Sequence, residues 1–304
     1  MAARATVTVT SPRAEAPSAR PTPARRRRGR GDRTSSAGPV TYVLLILTTL
    51  VSIFPLYWTL VAGSHTNHDI ASTPPPFLPS PDLFDNFALA LKQAPIGKAI
   101  VNSVIVASCI TVGTVLCCTL AGFGFAKLKF RGNALLLALV IGTMMVPTQL
   151  GIIPLFILIA KLQWVNQLQA VVLPTLVSAF GVFFMRQYLS QALPDELLEA
   201  GRVDGASTLR IFWSIVIPVA RPAMAVLGML TFLTAWNDFF WPIIALTTDN
   251  PTVRVALAGL GTGYVPQRSI IMAGTLLGTL PVLVVFVILG KQIVGGIMQG
   301  AVKG

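Results

Sequence analysis

One carboxylate stands inside an apolar run. Asp238 lies in Trp236-Asn237-Asp238-Phe239-Phe240-Trp241-Pro242, slightly beyond the middle of a hydrophobic segment that opens near Ala223. Turned toward lipid it would cost about 2.5–3.5 kcal/mol, so it is expected to face a bundle interior, water or a partner. Asn237 adds an amide beside it, and Trp236 and Trp241 add flat aromatic faces. Acceptors and stacking surfaces together suit a polyhydroxylated ligand on a translocation path. A polar clamp between helices is the other reading of the same residues.

The second polar stretch is Leu193 to Arg221, LPDELLEAGRVDGASTLRIFWSIVIPVAR. It reads as two short helices. Asp195 is placed to cap the first, whose apolar positions Leu197, Leu198 and Val203 fall on roughly one side, with Glu196, Glu199 and Arg202 polar. Gly205, after Asp204, supplies the left-handed residue that ends it. Ser207 caps a second helix carrying Leu209, Ile211, Phe212 and Trp213, and Pro218 stands where that helix must bend or stop. The expected product is a knuckle in water that offers an apolar stripe to a partner, or, more plainly, an amphipathic connector between membrane helices.

Catalytic constellations are missing. No phosphate loop of the GxxxxGK[ST] kind occurs, since Gly97-Lys98 and Gly290-Lys291 lack both the upstream glycine and the following hydroxyl. His65 and His68 have no third ligand close in sequence and read as a solvent-facing pair. Cys109, Cys117 and Cys118 share one apolar segment, which reads as buried packing rather than disulfide or zinc chemistry. The chain is therefore expected to bind no cofactor and to be no enzyme. Its energy must come from a separate ATPase or from a gradient.

The elements that position these residues follow from composition. With 304 residues, 54% hydrophobic and 11% charged, and a mean hydropathy of +0.73, the chain has too little polar surface for a soluble globule. An all-α polytopic membrane protein is expected, with six spans at about Val40–Ala62, Ile100–Ala126, Ala134–Ala160, Leu168–Tyr188, Ala223–Leu246 and Ser269–Gly290. Residues 1–38, rich in Arg, Pro, Ser and Ala, read as a disordered basic arm suited to anionic lipid, and residues 39–304 as the membrane domain. Between the first two spans, Pro74, Pro75, Pro76, Pro79 and Pro81 forbid a continuous helix, leaving room for a short amphipathic one near Phe87 to Leu91. Pro147, Pro154 and Pro174 predict kinked spans, and Gly274 with Gly278 predicts close helix approach.

The net charge of +12 is a topology signal and not a nucleic-acid footprint. Nine Lys and Arg precede residue 39, three lie in Lys127 to Arg131, four between Arg186 and Arg221, and two in the tail. Only Lys92, Lys98, Lys161, Arg254 and Arg268 fall on the other side. Eighteen against five places both termini and the knuckle in the cytoplasm.

Glu199, Ala200, Gly205, Phe212, Ile215 and Pro218 match the spacing of the EAA loop, so the chain resembles the membrane-spanning subunits of bacterial ABC importers. Gly201 departs, standing where the motif usually has alanine. From about Val40 onward the chain looks like a permease of the maltose-type, carbohydrate-uptake branch. The supporting stretches are Asn102-Ser103-Val104, Phe123-Gly124-Phe125-Ala126, Val146-Pro147, Leu173-Pro174-Thr175-Leu176, Trp236-Asn237-Asp238 and the terminal Gly300-Ala301-Val302-Lys303-Gly304. The resemblance implies the permease fold of that family, sugar cargo, a second permease subunit, an extracytoplasmic solute-binding protein and an ATP-binding subunit dimer that holds ATP and Mg. It assigns coupling to Glu199, Ala200, Gly201, Asp204, Gly205, Phe212 and Pro218, and an ATPase contact to the tail at Gln299 and Lys303. The alternatives are a permease of the same kind for a non-sugar solute, or a gradient-driven secondary transporter.

Overall fold

A computed structural model of the chain describes the backbone of residues 38–262 and 266–301, with side chains as far as residue 288. The arm up to residue 37, Lys303 and the side chain of Gln299 lie outside the described residues.

Every described element is helical. The chain divides into two compact units, Met1–Ser52 and Ile53–Gly304. The described part of the first is the opening of α1 (Pro39–Gly63), where Val40, Leu44, Leu47 and their neighbours are exposed all round. Only hydrocarbon or another helix satisfies such a rod.

In the second unit, α2 (Asn67–Ile70) and α3 (Leu83–Gln93) flank the proline run. Thr66 and Asp69 cap α2 reciprocally, and the hydrogen bond from Thr66 holds the Asp69 carboxyl below its ordinary range. Next come α4 (Ile96–Lys127), α5 (Asn133–Thr143) and α6 (Ile152–Lys161), then α7 (Gln169–Val172) and α8 (Ala179–Ala192). The knuckle contributes α9 (Asp195–Val203) and α10 (Thr208–Ile211), which leads into α11 (Ile217–Asn237). The chain ends on α12 (Phe240–Ala245), α13 (Val253–Leu260) and α14 (Arg268–Ala301).

Four helices are long and apolar enough to cross a membrane, and two bent pairs bring the number to six. The third expected span is not continuous: α5 and the segment Thr148–Lys161 meet at 90° across Met144 to Pro147, where proline lacks the N–H that would carry the helix on. The fourth bends by 43° after the turn that holds Pro174. The fifth is displaced, running Thr208–Asn237 instead of Ala223–Leu246. Pro218 accordingly neither stops nor breaks it. Proline at 218 would collide with the carbonyl of Ser214 in an α-helix, but Phe212–Val216 is widened into π geometry, with the Ile217 N–H donating to the Phe212 carbonyl.

The frame is α4, α8 and α11. Gly122 on α4 lies against the backbone of α8, and a Cβ there would sit 2.7 Å from the Arg186 nitrogen. That approach admits no larger residue. Gly274 and Gly278 do meet neighbours closely, on Leu257, Leu260 and Val253 of α13. Of the cysteines only Cys118 is buried, while Cys109 and Cys117 are exposed on the apolar outer side of α4, contrary to the packing expected for all three.

Candidate functional site

The knuckle is part of the core. Leu198 of α9 and Ile211 of α10, with Phe212 and Val216, join Phe123 of α4, Met185 and Leu189 of α8, and Ala223 and Leu227 of α11 in one buried cluster. Phe212 is a wedge rather than a surface residue, with its ring 6.0 Å from that of Phe123 and 5.3 Å from that of Trp213. Gly201 is buried too. A Cβ on it would come within 3.3 Å of Ile211 and Ile215, so the glycine lets α9 close on the following helix.

The turn between the two helices is built as expected at Gly205 and Ser207. Gly205 adopts φ +75°, a conformation that costs glycine little, and the Ser207 hydroxyl accepts from the Arg210 N–H. Asp195 does not cap α9. Pro194 holds that position, leaving Asp195 as the first helical residue with its carboxylate on Lys127, 2.7 Å away. The apolar side also divides differently: Leu198 alone is buried, while Leu197 and Val203 are exposed, Val203 at 88%. Leu209 and Trp213 are exposed as well, as are Glu199, Ala200, Arg202, Asp204 and Pro218.

Higher along the same helices lies a cavity of about 700 Å³. Ile110 and Thr114 of α4, Thr175 and Ser178 before α8, and Thr231, Thr234, Asn237 and Asp238 at the end of α11 line it. Asp238 stands at the break between α11 and α12, not inside a span, and one of its oxygens accepts the Phe240 N–H. Asn237 accepts from Arg254 and donates to the Leu233 carbonyl at 2.8 Å. The tryptophans face elsewhere. Trp236 is buried and stacks on Phe232, with ring centroids 5.7 Å apart, and Trp241 is buried with its indole N–H on the Ala170 carbonyl at 3.0 Å. The cavity therefore takes Asn237 and Asp238 from the expected site and leaves out both indoles.

Sequence reasoning missed the hydroxyls. Thr231 and Thr234 precede Asp238 by seven and four positions, which puts all three on one helix face, and that spacing was the available signal.

Past the cavity, the segment between α12 and α13 is tied down by hydrogen bonds, one of them from a lysine ammonium. Asn102 donates to Asn250 and to the Pro251 carbonyl, each at 3.0 Å, the Ser103 hydroxyl accepts from the Val253 N–H, and Lys98 reaches the Asp249 carbonyl. Asn166 accepts from the Thr247 N–H. Among the described residues, no three His, Cys, Asp or Glu gather in a way that would hold a metal.

Residues 113–298 match the family described as binding-protein-dependent transport system inner membrane component. The chain belongs to this family. It is 36% identical over 265 residues to the lactose transport system permease protein LacG of Rhizobium radiobacter, covering 87% of this chain and 96% of that one. It is 32% identical over 269 residues to the sn-glycerol-3-phosphate transport system permease protein UgpE of Yersinia enterocolitica, covering 85% and 95%. In fold, the permease matches a chain of a bacterial ABC transporter involved in the import of the acidic polysaccharide alginate, with a TM-score of 0.72, 21% identity, and coverage of 83% and 94%. The protein is thus a multi-pass membrane subunit of an ABC importer, a transport component and not an enzyme.

Proposed function

We propose that this permease moves a sugar or oligosaccharide inward, as in the maltose-type branch, driven by a separate ATP-binding subunit dimer seated on the knuckle. The observation that carries this reading is the single buried cluster joining Leu198, Ile211 and Phe212 to α4, α8 and α11, the helices whose far portions line the cavity. A force applied at α9 reaches the cavity wall through packed side chains, because close-packed interiors transmit displacement instead of absorbing it. Glu199, Asp204 and the exposed Leu197, Val203, Leu209 and Trp213 form the seat. Gly201, Gly205 and Phe212 hold its shape.

Sugar cargo is supported by the lining. Hydroxyls of Thr175, Ser178, Thr231 and Thr234, with Asn237 and the Asp238 carboxylate, stand in a wall that is otherwise apolar, made by Ile110, Phe180, Leu227, Leu230 and Ala235. Hydroxyl and amide groups set among apolar faces suit the mixed polar and apolar surface of a sugar.

In this reading both termini and the knuckle are cytoplasmic, following the distribution of Lys and Arg, and a second permease subunit and an extracytoplasmic solute-binding protein complete the importer. Residues 1–38 form a basic arm against anionic lipid, and the tail at Gln299 and Lys303 approaches the ATPase. Glu199→Lys tests the reading. The subunit should insert normally but lose its ATP-binding partner on purification, along with sugar uptake. Undiminished uptake by Glu199→Lys would remove the coupling role.

A further inference from the structure

We infer that the Lys127–Asp195 ion pair is a strut that ties the knuckle to α4 and makes the cavity respond to the ATP-binding subunit. The inference rests on the reading of α9 and α10 as the seat of that subunit. Lys127 is the last residue of α4 and Asp195 the first of α9, so the pair joins the C-terminal end of one helix to the N-terminal end of another. Each charge is thereby placed at the helix end that favours it.

Geometry makes the link directional. The Nζ–Oδ1 separation is 2.7 Å, and this is the one ion pair among the described residues. The lysine side chain is 9% exposed, whereas the aspartate is 75% exposed. A nearly covered ammonium has one carboxylate to meet. The hydrogen bond from Lys127 holds the Asp195 carboxyl below its ordinary range, with Lys129 and Arg202 adding attraction. Around the pair, a groove of about 440 Å³ separates the turn after α4, at Lys129 and Phe130, from Glu199 and Arg202 of α9.

The strut complements the apolar cluster. Packing such as that of Leu198 passes displacement on without setting one helix end against another, and a short charged hydrogen bond adds that fixed position. From Lys127, α4 runs thirteen residues, about 20 Å, to Thr114 in the cavity wall. Movement of α9 that Asp195 does not pass on is taken up in the groove. Both side chains are positioning residues, since neither touches cargo.

The test uses the complete importer with its ATP-binding subunits in vesicles. The native cysteines are replaced by alanine and a single cysteine is placed at Thr234 as a cavity reporter. Its labelling rate by a thiol reagent is measured with and without a non-hydrolysable ATP analogue. With Asp195 present the nucleotide should change the rate about tenfold, with Asp195→Asn by no more than about twofold, and Asp195→Glu should restore most of the response. The ATP-binding subunit should co-purify equally with all three. A full nucleotide response in Asp195→Asn would overturn the strut and leave the docking reading intact. Loss of the ATP-binding subunit from Asp195→Asn alone would make Asp195 a docking residue and equally overturn the strut. Absence of the subunit and of any nucleotide response with native Asp195 would overturn the docking reading, and the strut with it.

Discussion

The two ends of α4 are held by different chemistry. At the knuckle end, Phe123 is embedded in apolar side chains from α8, α9 and α11, with one ion pair beside them. At the far end, Lys98, Asn102 and Ser103 are fixed by hydrogen bonds to the segment between α12 and α13. Apolar packing joins elements into one body without dictating a single register, whereas a satisfied hydrogen-bond network dictates shape. Under the proposed function, force is taken up at the packed end and a set surface is presented at the other, with the cavity between them.

Several substitutions break this contrast at chosen points. The largest effect is expected from Gly205→Pro. Proline cannot adopt φ +75°, and it removes the N–H that donates to the Arg202 carbonyl at 3.0 Å. Uptake should be abolished while the amount of subunit in the membrane stays unchanged, as checked by transport assay beside immunoblot. Phe212→Ala follows, emptying the centre of the knuckle cluster at a cost of about 3–5 kcal/mol, seen as a lower melting temperature of the purified importer. Asn102→Ala acts at the opposite end. It frees the Pro251 carbonyl and the Asn250 side-chain oxygen and should cost about 1–3 kcal/mol in the same assay, with ATP-binding subunit recovery unaffected. If Asn102→Ala released that subunit and Phe212→Ala did not, the assignment of roles to the two ends would be reversed.

Much of this was legible in the residues. Gly205 and Ser207 announced the turn of the knuckle because a left-handed glycine and a capping hydroxyl are local devices, settled within a few residues. The six apolar runs announced the spans. Their outlines were less legible, because the 90° break near Pro147 and the end of α11 at Asn237 depend on what packs alongside. Pro218 misled for a related reason: the π turn that accommodates it begins six residues earlier, at Phe212, with no proline or glycine of its own. Trp236 and Trp241 were drawn into the ligand site by their neighbour Asp238, yet the chain breaks at Asp238, so that Trp236 ends α11 stacked on Phe232 and Trp241 belongs to α12, bound to the Ala170 carbonyl. Lys127 and Asp195 are 68 positions apart, and only the fold brings them together.

The smallest expected effect is on pH dependence. Because the Asp195 carboxyl is held below its ordinary value of 3.8, the ion pair contributes stability above that value and loses it as the pH falls through the lower, folded value. A pair with so exposed a carboxylate contributes little, so Asp195→Asn should barely change the melting temperature at neutral pH and should flatten the acid limb slightly in a melting series.

The central claim is that the knuckle meets a different polypeptide on the inner side of the membrane. A single cysteine at Val203, in a background with the three native cysteines replaced by alanine, tests it in intact cells and in opened vesicles. A membrane-impermeant thiol reagent should leave it untouched in cells and label it in opened vesicles, and oxidation should cross-link it to a cysteine introduced in the ATP-binding subunit. Labelling from outside intact cells would contradict the account.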